Sequence, residues 1–160
     1  MLNVTLICVG KLKEKFYIAA VEEYRKRLRA HCRLEILELP EERLPEGPSQ
    51  ALIDGALDRE ADRILARVPR NAALVALCVE GKLLSSEELA KQFNTFAVGG
   101  DSALCFVIGG SFGLHERVKR TARLRLSMSP MTFPHHLARV MVLEQIYRAF
   151  QISAGTKYHK

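Results

Sequence analysis

Four short apolar runs, at residues 2–9, 34–39, 73–79 and 103–108, are set apart by longer stretches in which apolar side chains return every three or four positions. A run such as Ala103-Leu-Cys-Phe-Val-Ile108 has no polar side to offer water, so as a strand it must be covered on both faces. The stretches between have helical spacing. Phe16, Ala20, Tyr24 and Leu28 mark about 14–31, and Ile53, Leu57, Ala61, Ile64, Leu65 and Val68 mark about 50–68. Strands alternating with helices predict an α/β fold with a mostly parallel sheet flanked by helices. A length of 160 residues suits one such domain spanning 1–160 and leaves little room for a second.

Local signals place the remaining boundaries. Pro40 ends the second strand, and Pro45, Gly47 and Pro48 make 41–49 a loop. Pro69 closes the second helix. Glu80-Gly-Lys82 reads as the turn out of the third strand, and Ser85-Ser-Glu-Glu88 as a capping box opening a helix over about 86–97. Gly99 to Asp101 is a turn, 103–108 runs into Gly109-Gly-Ser-Phe-Gly113, and a short basic segment at 114–120 leads to a fifth strand near 122–127. A loop at 127–133 precedes a last helix over about 134–152, with Pro134 in its first turn.

Several classes are disfavoured. The apolar runs fall far short of the roughly 20 residues a membrane span needs. The N-terminus has no basic region or small-residue cleavage site of the signal-peptide kind. Cys8, Cys32, Cys78 and Cys105 form no CxxC pair, and three lie in apolar strand-like runs, which predicts a reducing cytoplasm and no metal site. The net charge of +6 conceals a segregation: 1–33 and 102–160 are basic, while 34–101 holds thirteen acidic and seven basic residues. Basic ends on an acidic middle suggest a polyanion as partner.

Ligands on parallel sheets gather beyond the carboxyl ends of the strands. Three segments qualify: the turn after 73–79, the glycine loop after 103–108, and the 127–133 loop. The glycine loop is G-G-x-x-G on the fourth strand and lacks the acidic residue of a dinucleotide site. Ser127-Met-Ser-Pro-Met-Thr-Phe133 offers apolar walls and small hydroxyls that suit an adenine-sized ligand. His135, His136 and Arg139 put positive charge at a helix start, where the macrodipole disfavours it, and this too suggests an anionic partner. Glu144 and Arg148 form an i,i+4 pair, and Tyr158 and His159 are groups that stack on bases and hold phosphates.

Phe106-Val-Ile-Gly-Gly-Ser-Phe-Gly-Leu114, the run from Ser129 to His136, Leu143-Glu-Gln-Ile-Tyr-Arg148 and the terminal Tyr158-His159, with Val9-Gly-Lys11 and Glu80-Gly-Lys82, together resemble the RlmH (YbeA) family, the small SPOUT-class methyltransferases of bacterial ribosomal RNA. The resemblance covers the whole chain. It implies an S-adenosyl-L-methionine-dependent homodimer with a C-terminal trefoil knot. The implied substrate is N3 of a pseudouridine in the helix-69 loop of 23S rRNA within the 70S ribosome, with neither DNA nor membrane as partner. Carried over by position, the cofactor site comprises Leu77, Gly109, Met128, Ser129, Pro130, Met131, Thr132 and Phe133. Cys78 stands where the family often has Asp. Glu144, Arg148, Tyr158 and His159 are the implied catalytic group, with His159 or Glu144 assisting proton removal. The basic helix 14–31 and the 117–125 cluster are the expected RNA footprint. The alternative is a non-catalytic ribosome-associated factor on the same fold; a nucleotide-dependent oxidoreductase is disfavoured by the glycine spacing.

Overall fold

Side chains along a strand point to opposite faces in turn, so a strand that is apolar throughout calls for helices on both sides. In the computed structural model, which describes residues 1–160, the elements run β1 (Leu2–Val9), α1 (Lys15–Leu28), β2 (Cys32–Leu39), α2 (Gln50–Arg67), β3 (Ala72–Leu83), α3 (Ser86–Val98), β4 (Ala103–Ile108), α4 (Glu116–Thr121), β5 (Leu124–Ser127) and α5 (His135–Ser153). The five strands form one wholly parallel sheet in the order β2-β1-β4-β3-β5. Val4, Leu6 and Cys8 of β1 face the layer of α1, α3 and α5, where Leu28, Phe93 and Ile146 meet them. Ile7 and Val9 face Ala61, Ile64 and Val118 on the α2 and α4 side. Phe106 on β4 is fully buried, with its ring 5.9 Å from that of Phe93.

The helix starts follow their local chemistry. Ser85 accepts from the Glu88 amide at 3.1 Å while the Glu88 carboxylate accepts from the Ser85 amide at 2.6 Å, completing the expected capping box. Ser49 caps α2 by accepting from the Leu52 amide. Pro134 sits one place earlier than expected, as the cap before α5.

Two features depart from the sequence reading. Glu80-Gly-Lys82 does not lead out of β3 but lies inside it. Leu77 and Lys82 both pair with Leu126, so the intervening residues are extruded as a bulge and the chain rejoins β5. Gly81 permits this, because a Cβ there would lie 2.8 Å from the Arg125 carbonyl oxygen.

The second concerns the positive start of α5, which finds an anion within the chain. Arg139, 2% exposed, donates from Nη1 to Glu38 Oε2 at 2.6 Å and from Nη2 to the Gly10 carbonyl at 3.2 Å. Glu38 also accepts from the Leu12 amide at 2.9 Å. His136 Nδ1 lies 3.3 Å from the Glu14 carboxylate. The first turn of α5 is thereby fixed over the carboxyl ends of β1 and β2.

Burial alone would raise the Glu38 carboxyl, but the bonds from Arg139 and the Leu12 amide outweigh it and hold the group below its ordinary 4.5. A depressed carboxyl contributes stability that is present above its unfolded value and is lost as pH falls through the folded one. The urea midpoint should therefore decline as pH drops below about 4.5. Glu38→Ala, which strands the buried guanidinium, should cost about 2–3 kcal/mol at neutral pH and flatten that acid limb. An unchanged acid limb in the variant would contradict the assignment.

Candidate functional site

The ends of β3, β4 and β5 open on a cavity of about 660 Å³. The three segments nominated from sheet geometry meet there. Leu77 comes from β3, Gly109 from the glycine loop, and Met128, Ser129, Met131, Thr132 and Phe133 from the loop after β5. Pro130 belongs to that loop but does not line the cavity. The loop braces itself, with the Met131 amide donating to Ser129 Oγ at 3.0 Å and Ser127 Oγ donating to the Ser129 carbonyl at 3.1 Å. The glycine loop closes through a Gly113 amide bond to the Gly110 carbonyl at 3.1 Å. A Cβ on Gly109 would lie 2.3 Å from the Gly113 carbonyl oxygen, so the close turn requires glycine there.

Further residues, most of them outside the predicted cofactor set, complete the walls. Ile108, Leu114, Leu126 and Ala138 add apolar surface, and Phe112 and Met131 stand at 48% and 73% exposure. Lys119 reaches the cavity from α4 and is ion-paired with Glu80. His135 lines it from the start of α5, its imidazole pushed below the ordinary value first by burial and then by the His136 charge, which favours the neutral ring. Cys78 lines it too, its thiol raised by burial, so this position presents a protonated thiol where the resemblance suggested a carboxylate. The carboxyl-end rule reaches the neighbours of predicted residues. It does not reach Lys119, which is placed by the packing of α4.

Glu144, Arg148, Tyr158 and His159 also come together, but elsewhere. Arg148 donates from Nε and Nη2 to Glu144 Oε1 at 3.0 and 2.8 Å. The Tyr158 hydroxyl donates to the same carboxylate at 3.1 and 3.0 Å to its two oxygens, and its ring lies 4.7 Å from the Arg148 guanidinium carbon. A guanidinium only donates, so the 3.1 Å contact from Arg148 makes His159 Nδ1 the acceptor and puts the proton on Nε2, 2.6 Å from Glu87. Burial and then Glu144 push the Tyr158 phenol up and raise that of Tyr24 to about 12. None of the four lines the cavity. Ala138 does, and Arg148 lies ten residues further along α5, roughly 15 Å by helical rise.

The expected polyanion footprint divides. In the 117–125 cluster, Arg117 is paired with Asp58 and Asp62, Lys119 with Glu80, Arg123 with Asp101 and Arg125 with Glu116, leaving only Arg120 without a carboxylate. Around α1, Arg25 and Arg27 are paired with Glu22 and Glu23, whereas Lys11, Lys13, Lys15, Lys26 and Arg29 have no carboxylate partner. Lys11 and Lys13 line a second cavity of about 730 Å³, which shares His135 with the first.

Residues 2–159 match the model of a family described as predicted SPOUT methyltransferase. The chain is 50% identical over 159 residues to the ribosomal RNA large subunit methyltransferase H of Clostridium botulinum (strain Eklund 17B / Type B), covering 99% of this chain and 100% of that protein. It is 47% identical, with the same coverage, to the protein of that name from Clostridioides difficile (strain 630). The crystal structure of a probable methyltransferase from Bordetella pertussis Tohama I shares the fold, with a TM-score of 0.57 at 16% identity over 93% of this chain and 95% of that one. No helix of the chain is long and apolar enough to cross a membrane.

Two glycine substitutions test the loop packing. Gly109→Ala forces a Cβ into the Gly113 backbone and should lower stability by about 1–3 kcal/mol. Gly55→Ala, within α2 and meeting only the tip of Arg59 at 3.5 Å, should raise it by about 0.5–1 kcal/mol. Equal denaturation midpoints for the two variants would refute the close turn.

Proposed function

The chain belongs to the family of SPOUT methyltransferases, and within that family we propose that it methylates 23S rRNA at N3 of a pseudouridine in the helix-69 loop of the assembled 70S ribosome, with S-adenosyl-L-methionine as methyl donor. The observation that carries this reading is the meeting of three strand-end segments on one cavity. The full-length likeness to proteins named ribosomal RNA large subunit methyltransferase H supports the choice of substrate. A cytoplasmic location belongs to the same reading.

The residues present fit the donor. Leu77, Ile108, Leu126, Met128 and Phe133 provide apolar walls for a purine, and the glycine loop brings a backbone without side chains to the cavity. The cavity volume of about 660 Å³ falls within the usual range for ligands of that size. The donor supplies an electrophilic methyl group, so this chain has to bind, orient and help remove a proton from a weakly acidic ring nitrogen.

For that last task a second copy of the chain is proposed to bring its Glu144, Arg148, Tyr158 and His159 to the cavity. Two observations support a homodimer: the four residues lie well apart from the cavity in their own chain, and Phe112, Met131 and Val79 form an exposed apolar rim around it. In this scheme Glu144 or His159 accepts the proton, Arg148 positions RNA or the tail, and Tyr158 stacks on the target base. His159 can act as a base only after Arg148 leaves its Nδ1. Unpaired Lys11 and Lys13 offer phosphate contacts beside the cavity, a role the paired 117–125 cluster serves poorly. The return of 128–134 from β5 across the ends of β3 and β4 to Gly10 supports the C-terminal trefoil knot as part of this reading.

Tritium transfer from labelled S-adenosyl-L-methionine should label ribosomes that lack the modification, mapped to the helix-69 pseudouridine, with free 23S rRNA labelled poorly. The proton acceptor should lose about a hundredfold or more in kcat on replacement, tested by Glu144→Gln and His159→Ala. Mixing a pocket-defective Gly109→Ala chain with a His159→Ala chain should restore part of the activity if each site draws on two chains. Donor binding without any transfer would instead favour a non-catalytic ribosome-associated factor.

A further inference from the structure

Pro40 ends β2, and the two glutamates that follow it point in different directions. Glu42 turns back to α2. Its amide donates to Glu60 Oε2 at 2.8 Å, and its carboxylate takes Arg63 at 2.5 Å and Arg59 at 3.3 Å. Glu60 is only 5% exposed, and burial pushes its carboxyl up although the Glu42 amide works the other way. This clamp fixes the backbone one residue from Glu41.

Glu41 reaches outward to the glycine loop. Its Oε1 accepts from the Ser111 amide at 2.9 Å, across 70 residues of chain. A Cβ on Gly110 would lie 2.5 Å from that oxygen and 2.8 Å from the carboxyl carbon, so the carboxylate fills the space that any other residue at 110 would take. The second oxygen lies toward Gly10, where a Cβ would be 3.7 Å from Oε2 and 3.8 Å from His135 Nε2. One carboxylate thus bonds the turn after β4 and lies close to the turn after β1. It does not itself line the donor cavity, whereas Gly110, Ser111 and His135 do.

We infer that Glu41 is a positioning residue: held by the Glu42–Glu60 clamp, it fixes the glycine loop in the shape that the methyl donor requires. An exposed carboxylate–amide bond is ordinarily weakened by competing water. Here the clamp restrains the acceptor before the bond forms, and a glycine at 110 leaves it room.

The inference rests on the reading that this cavity takes S-adenosyl-L-methionine. Calorimetry with S-adenosylhomocysteine tests it. Glu41→Ala should weaken binding by about three- to tenfold with an unchanged melting temperature and unchanged ribosome affinity. Glu41→Gln, whose amide oxygen can accept the same bond, should recover most of the loss. Gly110→Ala evicts the carboxylate and should mimic Glu41→Ala, and the double variant should be no worse than either single one. Additive losses in the double variant, or wild-type affinity in Glu41→Ala, would overturn the inference. If the wild-type protein itself fails to bind S-adenosylhomocysteine, the donor reading falls, and hydrogen exchange then decides this one. The Ser111 amide should exchange faster in Glu41→Ala, and equal rates would overturn the role of Glu41.

Discussion

A guanidinium removed from water needs a carboxylate held in place beside it, and Arg139 has one in Glu38, 101 residues earlier in the chain. Such a pair contributes little net stability, because desolvation offsets most of the attraction. Its consequence is geometric. It anchors the first turn of α5 over the ends of β1 and β2, while the preceding strand, β5, lies at the opposite edge of the sheet beyond β3. The seven residues from Met128 to Pro134 must therefore cross the ends of β3 and β4, and in crossing they become a wall of the cavity. The shape of that cavity follows from where α5 is pinned.

The charge segregation of the sequence has a matching explanation. The acidic middle and the basic C-terminal part are not two surfaces facing outward with opposite sign. Asp58, Asp62, Glu80, Glu87 and Asp101 of the middle lie against Arg117, Lys119, His159 and Arg123 of the last third. Much of the excess positive charge at 102–160 is neutralised inside one subunit, so it carries less information about an RNA partner than its density suggests. Among the cations left without partners, Lys11, Lys13, Lys15, Lys26 and Arg29 lie around the end of β1 and along α1, and Lys11 and Lys13 line the second cavity. Each exposed pair contributes little to stability, yet together they determine which face stays positive.

Much of the candidate site was legible because a parallel sheet restricts where ligands sit. The glycine loop at Gly109 and the loop from Met128 to Phe133 could be nominated from position, Leu77 was named by the family resemblance, and all but Pro130 line the cavity. Glu144 and Arg148 were legible as neighbours on a helix, since i,i+4 spacing is local. Their joining by Tyr158 and His159 was not, because it depends on how the tail folds back on α5. Glu41 carried no local signal, and Lys119 and Phe112 were legible only as members of the basic 117–125 cluster and of the glycine loop. Their placement depends on α4 and on the loop after β2 meeting the glycine loop across many intervening residues.

The sequence by itself determined the elements and their layering. Unbroken apolar runs and a spacing of three to four in the stretches between are properties of neighbouring residues, and they dictate buried strands covered by helices on both faces. Caps such as Ser85 with Glu88 are equally local. Only the tertiary structure decided strand order, the bulge that returns Lys82 to β5, the burial of Arg139 on Glu38 and the contact of Glu41 with Ser111. These pair residues tens of positions apart, and no short-range periodicity encodes which distant partner will satisfy a charge or an amide. That choice is made when the sheet assembles and brings the carboxyl ends of its strands to one edge.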